Sequence, residues 1–280
     1  IDKSVKADKP FFVWFNSSRM HYYTHLRPES VGLSGQDFYN DGMVEHDNQV
    51  GVLLKKLDDL KIADNTIVLY STDNGVHFNQ WPDAGITPFR GEKNTNWEGG
   101  YRVPIMVRWP GHIKTGVVSN TVMSHQDWFP TLMAAAGVPD VKEKLFNTYT
   151  VGGKAFNVHL DGYNFLPYLE GKEKQGPRSE FYYFSDDGKL LGVRDGDWKV
   201  VFAEQRAKRF DVWRDPFERA DTDSNSYNVW WDKKVQVVGM PAMIRVQQFL
   251  STFQKFPPRQ RPASFTIDQM TEKFMQFKGR

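Results

Sequence analysis

The groups through which this chain could do chemistry are a carboxylate, an amide, a lysine and a histidine, and each follows an apolar run. Thr66 to Tyr70 is an unbroken apolar and β-branched run that stops abruptly at Ser71-Thr72-Asp73-Asn74-Gly75. A run of that length reads as a strand buried on both faces. Its exit carries Asp73 and Asn74 side by side, the hard oxygen donors that Ca²⁺ or Mg²⁺ takes. The carboxyl ends of strands are also where open α/β sheets bind ligands. Asn-Gly is equally an ordinary turn former, so the pair gains meaning only from its surroundings. Lys93 follows after a loop holding several glycines, prolines and aromatics, and a second apolar run, Pro10 to Asn16, leads into Ser17-Ser18-Arg19-Met20-His21, with His25 further along the loop.

The elements that must hold these residues follow from periodicity. Gln36 to Ile62 reads as a helix with Val44, Val50, Leu53, Leu54, Leu57 and Leu60 on one side and Asp41 or Ser34 as its cap. His46 and Asp47, adjacent on that helix, point in different directions and are given no chemistry. Pro104 to Trp109 is a further short strand, and Trp128 to Ala136 a helix opened by Ser124 or Asp127 and stopped by Gly137-Val138-Pro139. His125 reads as a packing residue or one behind the site rather than a catalyst. This order predicts an α/β domain over residues 1–175, a mostly parallel sheet flanked by helices, with 140–175 as loop. From Glu180 the pattern changes to short runs, Phe181 to Phe184, Leu190 to Arg194, Trp198 to Phe202 and Phe210 to Trp213, with turns at Asp186-Asp187-Gly188 and Asp195-Gly196-Asp197. That predicts a small antiparallel sheet in a subdomain, 176–280, completed by helices over about 241–256 and 267–277. The first of these helices turns Met243, Val246, Phe249, Leu250 and Phe253 inward.

Composition narrows the class. The 280 residues are 40% hydrophobic and 15% aromatic, enough for a sizeable core. Lys and Arg number 36 against 34 Asp and Glu, a net charge of +2 with no dense basic cluster, which argues against nucleic acid as a partner. Arg206 to Arg209 reads as a solvated loop. No run approaches the roughly 20 apolar residues of a membrane span, and the opening IDKSVKADKP lacks the pattern of a signal peptide. Cysteine is absent, which removes disulfides and thiolate metal sites.

Read together, Asp73-Asn74-Gly75, Pro88-Phe89-Arg90-Gly91-Glu92-Lys93, Trp97-Glu98-Gly99-Gly100, Arg102-Val103-Pro104 and Arg108-Trp109-Pro110-Gly111 closely resemble the second signature region of the sulfatases. The resemblance runs from about Pro10 to Phe277 and includes Asp215-Pro216-Phe217-Glu218-Arg219. It implies a formylglycine-dependent sulfatase of the alkaline-phosphatase-like superfamily, most like bacterial arylsulfatases and periplasmic or secreted. It further implies a Ca²⁺ ion on Asp73 and Asn74, and His21 and Lys93 as catalytic groups, since the family's histidine, counted from Phe11, falls at His21 rather than His25. His77, Trp81 and Arg90 are the substrate-pocket candidates, and the aromatics of the 76–87 loop suit an aryl group or a sugar face equally. One departure is decisive. The family builds its nucleophile from a Cys/Ser-x-Pro-x-Arg motif, and this chain has neither that motif nor the early pair of metal aspartates. The expectation is therefore the C-terminal portion of a sulfatase whose N-terminal half is its missing partner. On that reading the chain alone is inactive towards sulfate esters and its strands are partly uncovered. A phosphoryl or phosphonate ester hydrolase of the same superfamily, or a non-catalytic anion- or partner-binding fragment, shares these residues.

Overall fold

The computed structural model describes residues 1–21, 24–185, 188–202 and 207–257. The turn expected at Asp186-Asp187, the residue Arg206 and the helix expected over 267–277 lie outside them. The chain forms two compact units: residues 1–66 with 77–86, and 67–76 with the chain from 87 onward.

The first unit is organised on the helix Phe38–Asp59. Its cap is Asp37, whose extended backbone lets the side chain accept the Asn40 N–H at 2.9 Å. Asp41 and Ser34, the expected caps, serve a different turn. Asp41 is buried and accepts the Ser34 hydroxyl and the Ser34 and Gly32 amides at 2.6 to 2.8 Å, which hold its carboxyl below the usual range. The strand expected over Pro10 to Asn16 does not form. The segment enters no ladder, and Phe12 and Trp14 are 74% and 81% exposed. An apolar run becomes a strand only when a neighbour takes its N–H and C=O groups, and here none does among the described residues.

In the second unit β1 (Val68–Ser71) pairs with β2 (Ile105–Arg108), Val68 opposite Arg108 and Ser71 opposite Ile105. The pairing is antiparallel, as is every ladder among the described residues, so the expected mostly parallel sheet is not formed by them. The reason lies in the connection: the chain between β1 and β2 turns back beside β1 instead of crossing over. The 140–175 stretch, expected as loop, holds the helix Val141–Phe146 and a hairpin of β3 (Tyr149–Val151) and β4 (Lys154–Phe156). Three-residue strands are too short to show a period.

The C-terminal sheet matches its prediction in kind. β5 (Glu180–Phe184), β6 (Leu190–Asp195), β7 (Trp198–Val201) and β8 (Lys208–Asp211) form an antiparallel meander in that order. The helix Met240–Lys255 lays Ala242 and Val246 on Val193 and Val200, with Tyr227 and Val238 completing that core. Val201, Phe210 and Val212 form a second cluster, and Trp97 meets Phe210 edge-on at 5.8 Å. No helix among the described residues is long and apolar enough to cross a membrane.

A buried charge cluster crosses this sheet. Lys199 on β7, Glu98 and Glu218 are almost wholly inaccessible, and the Lys199 ammonium lies 3.0 Å from Glu98 and 2.7 Å from Glu218. Glu98 also accepts from Tyr183 at 2.9 Å and Arg102 at 2.7 Å, while its own N–H donates to Glu218 at 2.7 Å. Burial alone would raise both carboxyls. At Glu98 the charges of Lys199 and Arg102 outweigh it and hold the group down at about 2, whereas at Glu218 burial wins and the group sits above its usual range.

Two outcomes follow from this packing. Phe210→Ala removes a fully buried ring and should lower the unfolding free energy by about 3–5 kcal/mol in urea titrations. Because the folded carboxyl of Glu98 lies below its ordinary 4.5, its contribution is complete above that pH and is lost as pH falls from 4.5 through about 2. Glu218, shifted the other way, works against this loss. Glu98→Gln should therefore flatten the acid limb of stability over that window, read as the urea midpoint against pH.

Candidate functional site

β1 ends at Ser71 and the chain leaves through Thr72-Asp73-Asn74-Gly75. Asp73 is exposed. Asn74 is half-buried, and its amide N–H donates to the Gly75 carbonyl at 3.0 Å, which leaves its side-chain oxygen as the atom able to meet a cation. Gly75 fixes the course of this exit. Its N–H donates to the Gly100 carbonyl at 2.9 Å, and a Cβ there would lie 1.7 Å from the Gly99 carbonyl oxygen, so no other residue fits.

The partner loop is shaped by its own glycine. Gly91 takes a φ of +77°, and the Gly99 N–H returns to the Arg90 carbonyl at 2.7 Å, closing the loop on itself. Thr95 pins the interior, donating to the Glu92 carbonyl at 2.6 Å and accepting the Glu92 N–H at 3.1 Å. The Lys93 N–H then donates to the Val76 carbonyl at 3.0 Å. The backbone carrying Lys93 is thereby docked beside the Asp73-Asn74-Gly75 exit, and three residues singled out in the sequence share one loop cluster.

Arg90, in the same unit, is engaged elsewhere. Its guanidinium donates to the Glu218 carbonyl at 2.9 Å and to Asp221 at 2.7 Å, and lies over the Trp97 ring at 3.7 Å. His21, His77 and Trp81 belong to the first unit. The segment ending at His21 is held by Arg19, which grips buried Glu45 through two bonds of 2.9 and 3.2 Å, and the His21 N–H donates to Thr24 at 2.9 Å. Arg19 depresses the Glu45 carboxyl. The Trp81 N–H donates to the His77 carbonyl at 2.9 Å, and the Trp81 ring stacks on Phe38 with centroids 5.6 Å apart.

His125, read from the sequence as a packing residue or one behind the site, has its Nε2 3.2 Å from the Ser71 hydroxyl at the very end of β1. It is fixed there by its neighbour Asp127, which closes a capping box with Ser124 and takes two bonds from buried Arg178 at 2.6 and 2.8 Å. The capping box was legible in the sequence. The contact with a strand 54 residues away was not.

Among the described residues no group of three or more His, Asp or Glu side chains is gathered as a metal cage. Asp73 and Asn74 supply two donors of the chemistry Ca²⁺ prefers, against the about six to eight oxygens it takes, so they fit as part of a shell. A cavity of about 220 Å³ elsewhere in this unit is lined by Lys142, His159, Tyr163, Arg178, Glu180 and Arg245 among others, and by none of the site residues singled out in the sequence. Burial and the bond to Glu180 push its Tyr163 hydroxyl up to about 12.

Comparison with known proteins covers the same region. Residues 1–138 match the Sulfatase family. Arylsulfatase A of Homo sapiens is 33% identical over 215 residues, 75% of this chain and 39% of that protein, and N-acetylgalactosamine-6-sulfatase of Homo sapiens is 33% identical over 196 residues, 69% and 34%. The chain thus spans little more than a third of these relatives. The PsFucS1 sulfatase of Pseudoalteromonas sp. superposes with a TM-score of 0.75 at 26% identity, over 92% of this chain and 52% of that one. Residues 1–138, which include the Asp73-Asn74-Gly75 exit and Lys93, are therefore the part of the chain that matches the Sulfatase family.

Proposed function

We propose that this chain carries part of the metal and sulfate site of a sulfuric ester hydrolase of arylsulfatase type, whose formylglycine nucleophile is supplied from outside it. The observation that carries this reading is the docking of the Lys93 backbone beside the Asp73-Asn74-Gly75 exit, which brings a lysine and two hard oxygen donors into one loop cluster. The absence of cysteine and of any Ser-x-Pro-x-Arg sequence supports an external nucleophile. So does the exposure of Phe12 and Trp14, and of Leu69 and Met106 on the faces of the β1 and β2 pair, which further elements could cover.

Asp73 and the Asn74 side-chain oxygen would hold Ca²⁺, which when bound polarises the sulfate oxygens as a Lewis acid. Lys93 faces the same anion and offsets charge on its oxygens. His21 delivers the proton to the departing alkoxide, because a basic leaving group is expelled slowly unless it is protonated as the bond breaks. His77 and Trp81 remain the substrate-pocket candidates, and Trp81, braced on Phe38, has the rigid apolar face that an aryl ring or a sugar would need. Arg90 serves the loop, since its Nη1 donates to Asp221 and to the Glu218 carbonyl.

The test joins this chain to a sulfatase segment bearing Cys-x-Pro-x-Arg, with the formylglycine installed, and follows nitrophenyl sulfate. The joined protein should turn over and lose activity to a calcium chelator, and the chain alone should not. His21→Ala and Lys93→Ala should each lower kcat by at least about 10²-fold with the fold intact. Turnover by the chain alone, or unchanged kcat in both variants, would sink the reading.

A further inference from the structure

Glu218 holds both ends of the loop that carries Lys93. At the near end its backbone carbonyl accepts from Arg90 at 2.9 Å, and at the far end its carboxylate accepts the Glu98 N–H at 2.7 Å. The other carboxylate oxygen meets Lys199 at 2.7 Å, so the same side chain is anchored in β7. Arg90 is secured a second time by Asp221, three residues on, and Asp221 is itself paired with Lys208 of β8. The loop between Arg90 and Glu98 is thus fastened to the C-terminal sheet through one short stretch, Glu218 to Asp221.

The backbone of Glu218 is informative as well. It takes a φ of +53°, the left-handed region where glycine is at ease and a residue with a side chain is strained. Glycine would relax that strain, yet the position is occupied by a fully buried carboxylate. In this conformation the residue makes a pair of contacts, one through its carbonyl and one through its carboxylate, at the two ends of the loop.

We propose that Glu218 is the positioning residue of the Asp73, Asn74 and Lys93 cluster. The inference rests on the reading of that cluster as the site. The path is short and each step is a contact: Glu218 sets the Glu98 amide, Glu98 begins the Glu98–Tyr101 turn, and Gly99 and Gly100 of that turn are the surface on which Gly75 docks. Glu218 touches neither the metal nor the ester. It acts by fixing where the strand exit and the lysine loop meet.

Amide hydrogen exchange of the full chain tests this without substrate or metal. Glu218→Gly should speed exchange at the Gly75, Lys93 and Gly99 amides at least about tenfold, the change expected when one hydrogen bond to a charged group is lost, while the ladder amides of β3 and β4, which hold no member of the charge cluster, stay within about twofold. Glu218→Gln, which keeps the shape and the acceptor for Glu98, should restore the loop to within about threefold of the parent. Glu218→Asp, one methylene shorter, should repeat the loop-only increase and carries the test if the glycine variant does not fold. Loop and ladder amides rising together, or a loop that does not change, would overturn the assignment. Because exchange reads the loop alone, a failure to hydrolyse sulfate esters would count against the proposed activity and leave this result standing.

Discussion

A lysine with no exposed surface, set between two buried carboxylates, is the constraint on which the second unit depends. Removing an ion from water costs several kcal/mol even after relaxation, so Lys199, Glu98 and Glu218 are tolerated only with nearly complete pairing. The pairing is nearly complete because Tyr183, Arg102 and the Glu98 amide fill the remaining positions. Three stretches distant in sequence must be in register at once: the signature loop ending at Glu98, the meander strands holding Tyr183 and Lys199, and the turn at Glu218. The C-terminal sheet is therefore the floor on which the signature loop is built. A chain cut before β5 would keep the Asp73-Asn74-Gly75 motif and lose what shapes it.

Motif order and period were legible; long-range pairing was not. The exit at Ser71, the strand after Pro104 and the four strands from Glu180 could be read because each is an apolar run bounded by turn residues. The direction of the first sheet was misread because β1 and β2 carry the same signal whether they run together or opposed, and only the course of the connection decides. Pro10 to Asn16 was misread for a related reason: composition reports what a segment could bury, and its neighbours decide whether it does. Arg90 reads as a surface group facing a ligand, but Asp221 claims it first. Lys199 did offer a signal. It interrupts the apolar run Trp198 to Phe202 in a strand whose residues Lys199, Val200 and Val201 are all buried, and a lysine in such a strand demands a carboxylate.

The exposed apolar positions of the first sheet show how little of it the described residues cover. Leu69 and Met106 lie on a two-stranded pair, and a pair of that size is marginal without cover or further strands.

Buried carboxylates recur wherever this fold needs a loop held in one shape, and the reason is backbone accounting. A strand answers its N–H groups through its neighbour and a helix through its own turns, whereas a loop has no such partner and must find acceptors elsewhere. Asp41 answers Gly32 and Ser34, Asp127 answers Ser124 and Tyr163, and Glu218 answers Glu98. Where a cation is added, as Arg178 is to Asp127 or Lys199 to Glu218, the loop is also tied to a distant element by charge-assisted bonds, roughly twice as strong as neutral ones. Glu45 does the same for the His21 segment through Arg19. A site assembled from loops needs its groups fixed as firmly as if they sat on strands, and these acids, none of which is a candidate for the chemistry itself, supply that rigidity.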